Sequence, residues 1–152
     1  MRATYNIVIA DTSCFILLDK IGEMNLLKAL FGKIITTSVI AMEFGALLPE
    51  WIEIRDASTT ALETTLEIDA GEISAIILAI EYNPALLIVD DDKARKVARK
   101  LGLNITGSLG IFLKAKQAGI IPSVMAIIQK VQQTNFRYSQ AVLNEILELA
   151  GE

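Results

Sequence analysis

The chain has 152 residues, 53% of them apolar and 21% charged, and a formal net charge of −4, a composition of one ordinary domain that excludes disorder as a description of the whole. It contains no histidine and a single cysteine, which excludes Ser-His and Cys-His nucleophilic pairs, a His general base, His-ligated metals, thiolate zinc sites and an internal disulfide. Any catalysis must therefore rest on carboxylates or lysines.

In chain order, Tyr5 to Ala10 reads as a buried strand, followed by helical runs from about Ser13 to Ile21 and from Glu23 to Phe31, the latter stopped by Gly32. Lys33 to Thr36 is a short strand. Ser38 can cap a helix that runs to Leu48 and ends at Pro49, and Trp51 to Arg55 is a third strand. The Thr-rich piece from Ser58 to Glu67 is ambiguous. Ala70 to Tyr82 is helical, Ala85 to Val89 an apolar strand, Lys93 to Leu101 a basic helix ended by Gly102, and Leu103 to Thr106 a fifth strand. Helices at Ser108 to Gln117, Ser123 to Gln133 and Ser139 to Ala150 complete the chain. Short buried strands alternating with helices predict an α/β fold, a three-layer sandwich around a parallel sheet of about five strands, in one domain spanning residues 1–152. Apolar runs such as Cys14 to Leu18 and Ala75 to Ile80 fall far short of the roughly 18 residues of a membrane-crossing helix. Asp11 cuts short the run from Ile7 to Ala10, so no export signal is read and the expected compartment is a reducing cytoplasm, away from membranes.

The acids fall at informative places. In open α/β sheets ligands bind beyond the carboxyl ends of strands, where strand order reverses. Asp11 directly follows the first strand, and Asp90, Asp91 and Asp92 follow the fourth. An Asp after a strand is explained as a helix N-cap, which suffices for Asp11 alone, but three consecutive aspartates exceed what capping needs. Glu43 falls on a helical wheel between Val39 and Leu47, with Ile40 close by, so its charge is expected inside an apolar stripe, facing a polar site or a cation. Asp69 and Glu72 have capping-box spacing, and local stability accounts for both. Taken together, Asp11, Glu43, Glu72 and the cluster at 90–92 are an oxygen-only donor set, which favours Mg²⁺ or Mn²⁺. The charges are also lopsided: residues 1–92 carry 15 acids and 5 bases, residues 93–152 carry 3 acids and 9 bases, and no acid lies between Lys93 and Arg137. A basic surface beside an acidic metal site suits metal-assisted attack on a phosphodiester, with a plain solvated face as the alternative for the basic block.

These words in this order resemble the PIN-domain family of metal-dependent ribonucleases, and within it a toxin-like group of small prokaryotic PIN proteins. Ile9-Ala10-Asp11-Thr12-Ser13 is similar to the family's opening strand and first acid, and Glu43 to its second. Ile68-Asp69-Ala70-Gly71-Glu72 resembles a G-E word in place of the third acid, and Val89-Asp90-Asp91-Asp92-Lys93-Ala94-Arg95 a D-D-x-x-A-R word. Thr106-Gly107-Ser108-Leu109-Gly110 and the ending around Asn135-Phe136-Arg137-Tyr138-Ser139 resemble the later blocks. Most PIN nucleases carry Asp where Glu72 stands, so Glu72 must reach farther.

The resemblance implies hydrolysis of single-stranded RNA by a metal-activated water, with Asp11, Glu43, Glu72 and Asp91 as the catalytic, metal-holding acids. Asp90 would assist as a ligand or cap, and Ser13 would orient Asp11. Lys93, Arg95, Arg99, Lys114 and Lys116 are the residues expected to guide the RNA backbone, unless Arg95 pairs internally with an aspartate. An antitoxin protein and a homodimer belong to the same implication. A second reading stays open: a non-catalytic RNA- or protein-binding module on the same fold, motivated by the unusual third acid. A response-regulator receiver fails, because no Asp follows Asp92 to accept a phosphoryl group.

Overall fold

The computed structural model describes residues 4–58 and 68–152. Of the ambiguous Thr-rich piece, 59–67 lie outside the described residues. The elements run β1 (Ile7–Ala10), α1 (Thr12–Lys20), α2 (Asn25–Phe31), β2 (Ile34–Thr36), α3 (Ser38–Phe44), β3 (Ile52–Ile54), α4 (Ala70–Glu81), β4 (Ala85–Ile88), α5 (Asp92–Lys100), β5 (Asn104–Thr106), α6 (Ser108–Gln117), α7 (Val124–Gln132) and α8 (Gln140–Leu149). The strands form an all-parallel sheet in the order β3-β2-β1-β4-β5, flanked by the helices as an α/β sandwich.

Strand composition follows from burial on both faces. β4 is Ala-Leu-Leu-Ile with every residue buried, and β2 is Ile-Ile-Thr, likewise buried. Such near-continuous apolar runs mark strands covered by helices on each side. Leu17, Leu18, Leu27, Ile40, Ile76, Leu78 and Phe112 fill the layers above and below. α4 lies across β1 and β4 and packs on α3, while α2 packs on α6, which in turn carries α7 and α8. Phe15 and Phe44 meet edge to face, ring centres 6.1 Å apart, and join α1 to α3.

The strand order fixes where a ligand can bind. From β1 the chain steps outward to β2 and β3, then returns to β4 beside β1 and steps outward to β5 on the other side. β1 and β4 pair directly, with Ala10 opposite Ile88, so the residues leaving their carboxyl ends share the crevice at the reversal point. That places Asp11 opposite Val89, one residue short of Asp90, at the same edge of the sheet.

One boundary differs from the sequence reading in a way that matters for the site. α3 stops at Phe44, not Leu48, because Gly45 adopts φ 73° and its N–H closes the helix on Ala41 O. Glycine enters the left-handed region without the Cβ penalty, so it terminates the helix before Pro49 can. Leu47 is consequently no longer on the helix, and it is 98% exposed.

Candidate active site

Three aspartates begin helices at this crevice. Asp11 caps α1, with Oδ1 accepting the Thr12 N–H at 2.7 Å. Asp69 caps α4 by accepting the Glu72 N–H at 2.9 Å, and Asp91 Oδ2 caps α5 by accepting the Ala94 N–H at 2.9 Å. Asp90 does the same for a helix that is not its own. Gly107, the N-cap of α6, has no side chain to offer, and Asp90 supplies both missing bonds, accepting the Ser108 N–H at 2.8 Å and the Ser108 hydroxyl at 2.6 Å. A Cβ on Gly107 would stand 2.9 Å from Asp90 Oδ1 and 3.0 Å from Arg95 Nη1, so glycine is what lets that strand end and helix start close together.

The acids differ sharply in environment. Asp11 is 4% exposed and Glu72 is 7% exposed, whereas Glu43 and Asp91 reach solvent. Burial pushes the Asp11 carboxyl up from 3.8 to about 7; the bond from Thr12 N–H opposes this, and the charges of Asp69, Glu43 and Asp90 add to it. Burial likewise raises Glu72 from 4.5 to about 9, followed by its pairing with Asp69 and the charges of Asp69, Asp91 and Asp11. Glu72 Oε2 is buried with no hydrogen-bond partner among the described residues. An orphan carboxylate oxygen in that position loses the hydration it had in the unfolded chain and gains nothing in exchange.

Several sequence expectations need correction. Glu43 does not lie in a buried stripe: with α3 ended at Phe44 it occupies the last turn, exposed, and Thr12 Oγ1 donates to its Oε2 at 2.8 Å. At the start of α1 the hydroxyl that meets an acid is therefore that of Thr12. Ser13 makes no hydrogen bond to Asp11 among the described residues, since the Asp11 cap is satisfied by the Thr12 backbone. Arg95 turns inward and donates to Val89 O at 3.0 Å, beside Asp90, which takes it off the nucleic-acid face. Lys116 is engaged by Glu152 at 2.9 Å. Lys114 lines a hollow with Tyr5, Val8 and Leu86 at the amino ends of the strands, because α6 starts at the crevice and runs away from it. Of the basic residues expected to guide RNA, Lys93 and Arg99 remain exposed on α5, joined there by Lys96 and Lys100.

Asp69, Thr12 and Gly71 are site residues that the sequence reading passed over as caps and spacers. Asp69 feeds charge into both Asp11 and Glu72. Behind Asp90, burial raises both the Cys14 thiol and the Tyr138 phenol, with the Asp90 charge adding to each.

The donor set suits a hard divalent cation. Oxygen is its only donor element, two of its carboxylates are held where their ionised forms are disfavoured, and Glu72 Oε2 has no hydrogen-bond partner among the described residues. Among the described residues no three acids yet surround one point. Carboxylates that repel one another stand apart, and a cation is what would draw them together.

Fold and crevice define an α/β sandwich with an acidic, oxygen-only site at its strand-order reversal. The sequence matches the PIN domain over residues 7–152, and the chain belongs to the PIN-domain family. PIN domains are generally nucleases and generally use divalent metals. No curated protein and no solved structure matches the chain. No helix among the described residues is long and apolar enough to cross a membrane.

Proposed function

We propose that the protein is a Mg²⁺- or Mn²⁺-dependent endoribonuclease that hydrolyses phosphodiester bonds of single-stranded RNA. The observation that carries the reading is the buried pair Asp11 and Glu72, with Glu72 Oε2 unpartnered among the described residues, at the crevice beyond the β1 and β4 strand ends. A fold tolerates two such carboxylates when a ligand offsets them, and perturbed acids of this kind concentrate at functional sites. Asp11 and Glu72 are the inner holders of the ion, and Glu43 and Asp91 complete the set from the rim. Asp90, with both oxygens committed to Ser108, fixes the floor. A divalent ion bound there supplies activation of water and stabilisation of the leaving oxygen. On loading, Asp11 and Glu72 give up any proton they carry, so ion binding strengthens as pH rises.

Charge supports a phosphodiester polymer as the substrate. The exposed face of α5 presents Lys96, Arg99 and Lys100, a stripe for a phosphodiester backbone that leads back to Asp91 at the start of the same helix. Action as a toxin restrained by an antitoxin, and assembly as a homodimer, extend the reading and rest on the family alone.

The test is cleavage of end-labelled single-stranded RNA by purified protein in Mn²⁺, Mg²⁺ and chelator, for wild type and Glu72→Gln. Metal-dependent internal cuts that Glu72→Gln fails to make support the proposal. The second reading, a non-catalytic binding module, draws on the Glu at the third position and on the open spacing of the acids. It takes over if wild-type protein binds these RNAs and cuts none in either metal.

A further inference from the structure

Glu43 is exposed, sits at the end of the short helix α3, and is the acid with the least reason to stay in place. A helix C-terminus repels a carboxylate, and a solvated glutamate has many rotamers. Yet its carboxylate is held from two sides. Thr12 Oγ1, at the start of α1, donates to Oε2 at 2.8 Å. On the other side lies Gly71, in the first turn of α4: a Cβ built there would be 2.5 Å from Glu43 Oε2, 2.8 Å from Oε1 and 2.9 Å from Cδ. The carboxylate occupies the space that any side chain at 71 would fill.

The two helices are fastened at this point. Ser74 Oγ donates to Gly71 O at 2.6 Å, Thr37 Oγ1 lies 2.7 Å from Ser74 Oγ, and Thr37 Oγ1 accepts the Ile40 N–H at 3.2 Å as the α3 cap. Since the Ser74 proton goes to Gly71, Thr37 donates to Ser74, and each hydroxyl in the chain is used consistently. A glycine in a helix is a poor choice on propensity, and Gly71 has no positive φ to explain it. Its use here is the missing side chain.

We propose that Thr12 and Gly71 are positioning residues that seat the Glu43 carboxylate beside Asp11, Thr12 by its hydroxyl and Gly71 by the space it leaves. The consequence for the metal-binding reading, on which this part of the inference rests, is that Glu43 is pre-placed for the ion. Because the displaced group would be the flexible end of a glutamate, Gly71→Ala leaves the backbone alone and moves only the carboxylate, by at least about 0.5 Å from the 2.5 Å contact to one no shorter than 3.0 Å. Displacements of that size matter at sites that need tightly held geometry.

The experiment compares wild type, Gly71→Ala, Thr12→Val, Glu43→Gln and Glu43→Gln with Gly71→Ala. Metal-free Gly71→Ala should melt at or above wild type, since alanine is the better helix former. Its Mn²⁺ dissociation constant, by calorimetric titration, should rise about tenfold, and that of Thr12→Val severalfold. Adding Gly71→Ala to Glu43→Gln should cost no further affinity, because Gly71 acts through Glu43. Wild-type affinity in Gly71→Ala, or full additivity in the double variant, overturns the proposal. Crystal structures of metal-free wild type and Gly71→Ala decide the seat independently of metal. A Glu43 carboxylate shifted off Thr12 in Gly71→Ala supports it, and an unmoved carboxylate overturns it. If wild type binds no Mn²⁺, the nuclease reading fails, while those two structures still settle the seat.

Discussion

Replacing Asp11 by Asn should stabilise the metal-free protein. Asp11 is 4% exposed and its carboxyl is pushed up to about 7 from an ordinary 3.8. With the native value above the unfolded one, its contribution is fully favourable below pH 3.8 and is lost as pH rises to about 7. At about 1.4 kcal/mol per pH unit, the ionised native carboxylate costs on the order of 4 kcal/mol above that range. Asn removes the charge and keeps the cap, because Asn and Asp cap helices about equally well and its amide oxygen still accepts the Thr12 N–H. Loss of the attraction between an anion and the α1 N-terminus gives back about 0.3–1 kcal/mol. A net gain of about 3–4 kcal/mol at pH 8 raises Tm by about 6–16 °C for a domain of this size. At pH 4.5 the gain shrinks to about 1 kcal/mol, because the native carboxyl is protonated and pH 4.5 lies only a little above the unfolded value of 3.8, so holding the proton on folding costs little. The assay is thermal unfolding in chelator across that pH range, then with Mn²⁺. Wild type should gain about 2.7 kcal/mol at a hundredfold excess of ion over its dissociation constant, and Asp11→Asn much less. An Asp11→Asn protein that melts below wild type at pH 8 in chelator would refute the reasoning, since the buried charge would then have cost nothing.

Glu72→Gln removes the second buried charge while Gln still serves at the third helical position, so chelator-treated protein should melt at or above wild type. Its Mn²⁺-dependent cleavage should fall by more than the ~10–100-fold that loss of a metal ligand's supporting partner costs. For RNA binding, Lys96→Gln with Arg99→Gln should flatten the dependence of log affinity on log salt by about one to two charges, measured by fluorescence anisotropy. Arg95→Gln should instead lower Tm and leave that slope unchanged, because its guanidinium is spent on Val89 O. Ser108→Ala should cost about 1.5–3 kcal/mol in denaturant unfolding, as the Asp90 carboxylate loses its 2.6 Å hydroxyl donor.

The sheet was legible because its signals are local. Ala85 to Ile88 is apolar throughout for the same reason that it is buried on both faces, and most helix starts carry a polar residue that shows up as the cap, α2 and α6 being the exceptions. The acids at strand ends were legible too, once the reversal between β1 and β4 is granted. What the residues could not disclose lies in contacts between distant segments. A wheel drawn through Leu47 put Glu43 in a stripe, because nothing in the pattern says that Gly45 turns left-handed before Pro49 acts. Ser13 looked as good as Thr12, since only the placement of α3 against α1 selects which hydroxyl meets Glu43. Lys114 and Lys116 looked like neighbours of the basic helix in sequence, yet α6 carries them toward the far end of the sheet. Gly71 had a signal available: glycine inside a strongly helical segment, with nothing in the helix to require it.

The N-cap reading and the ligand reading of these aspartates are one arrangement seen from two sides. α1, α4, α5 and α6 all start at the crevice, capped by Asp11, Asp69, Asp91 and, across the sheet, Asp90. Each helix start contributes unpaired N–H groups and partial positive charge, which attenuates the repulsion among acids gathered in so small a volume. A sequence can therefore afford this cluster only where several helices begin together, which in a parallel sheet is the carboxyl edge. Asp91 separates the two duties most cleanly, being exposed and, among the described residues, bonded by its side chain to Ala94 N–H alone. Asp91→Asn keeps the cap and should leave stability within about 0.5 kcal/mol, whereas Asp91→Ala loses it at a cost of about 1 kcal/mol. Both variants lack the charge, so both should lose Mn²⁺ affinity and metal-dependent cleavage to the same extent. If Asp91→Asn binds Mn²⁺ as wild type does while Asp91→Ala does not, the carboxylate acts only by shaping the start of α5, and the ion is held by the remaining acids without it.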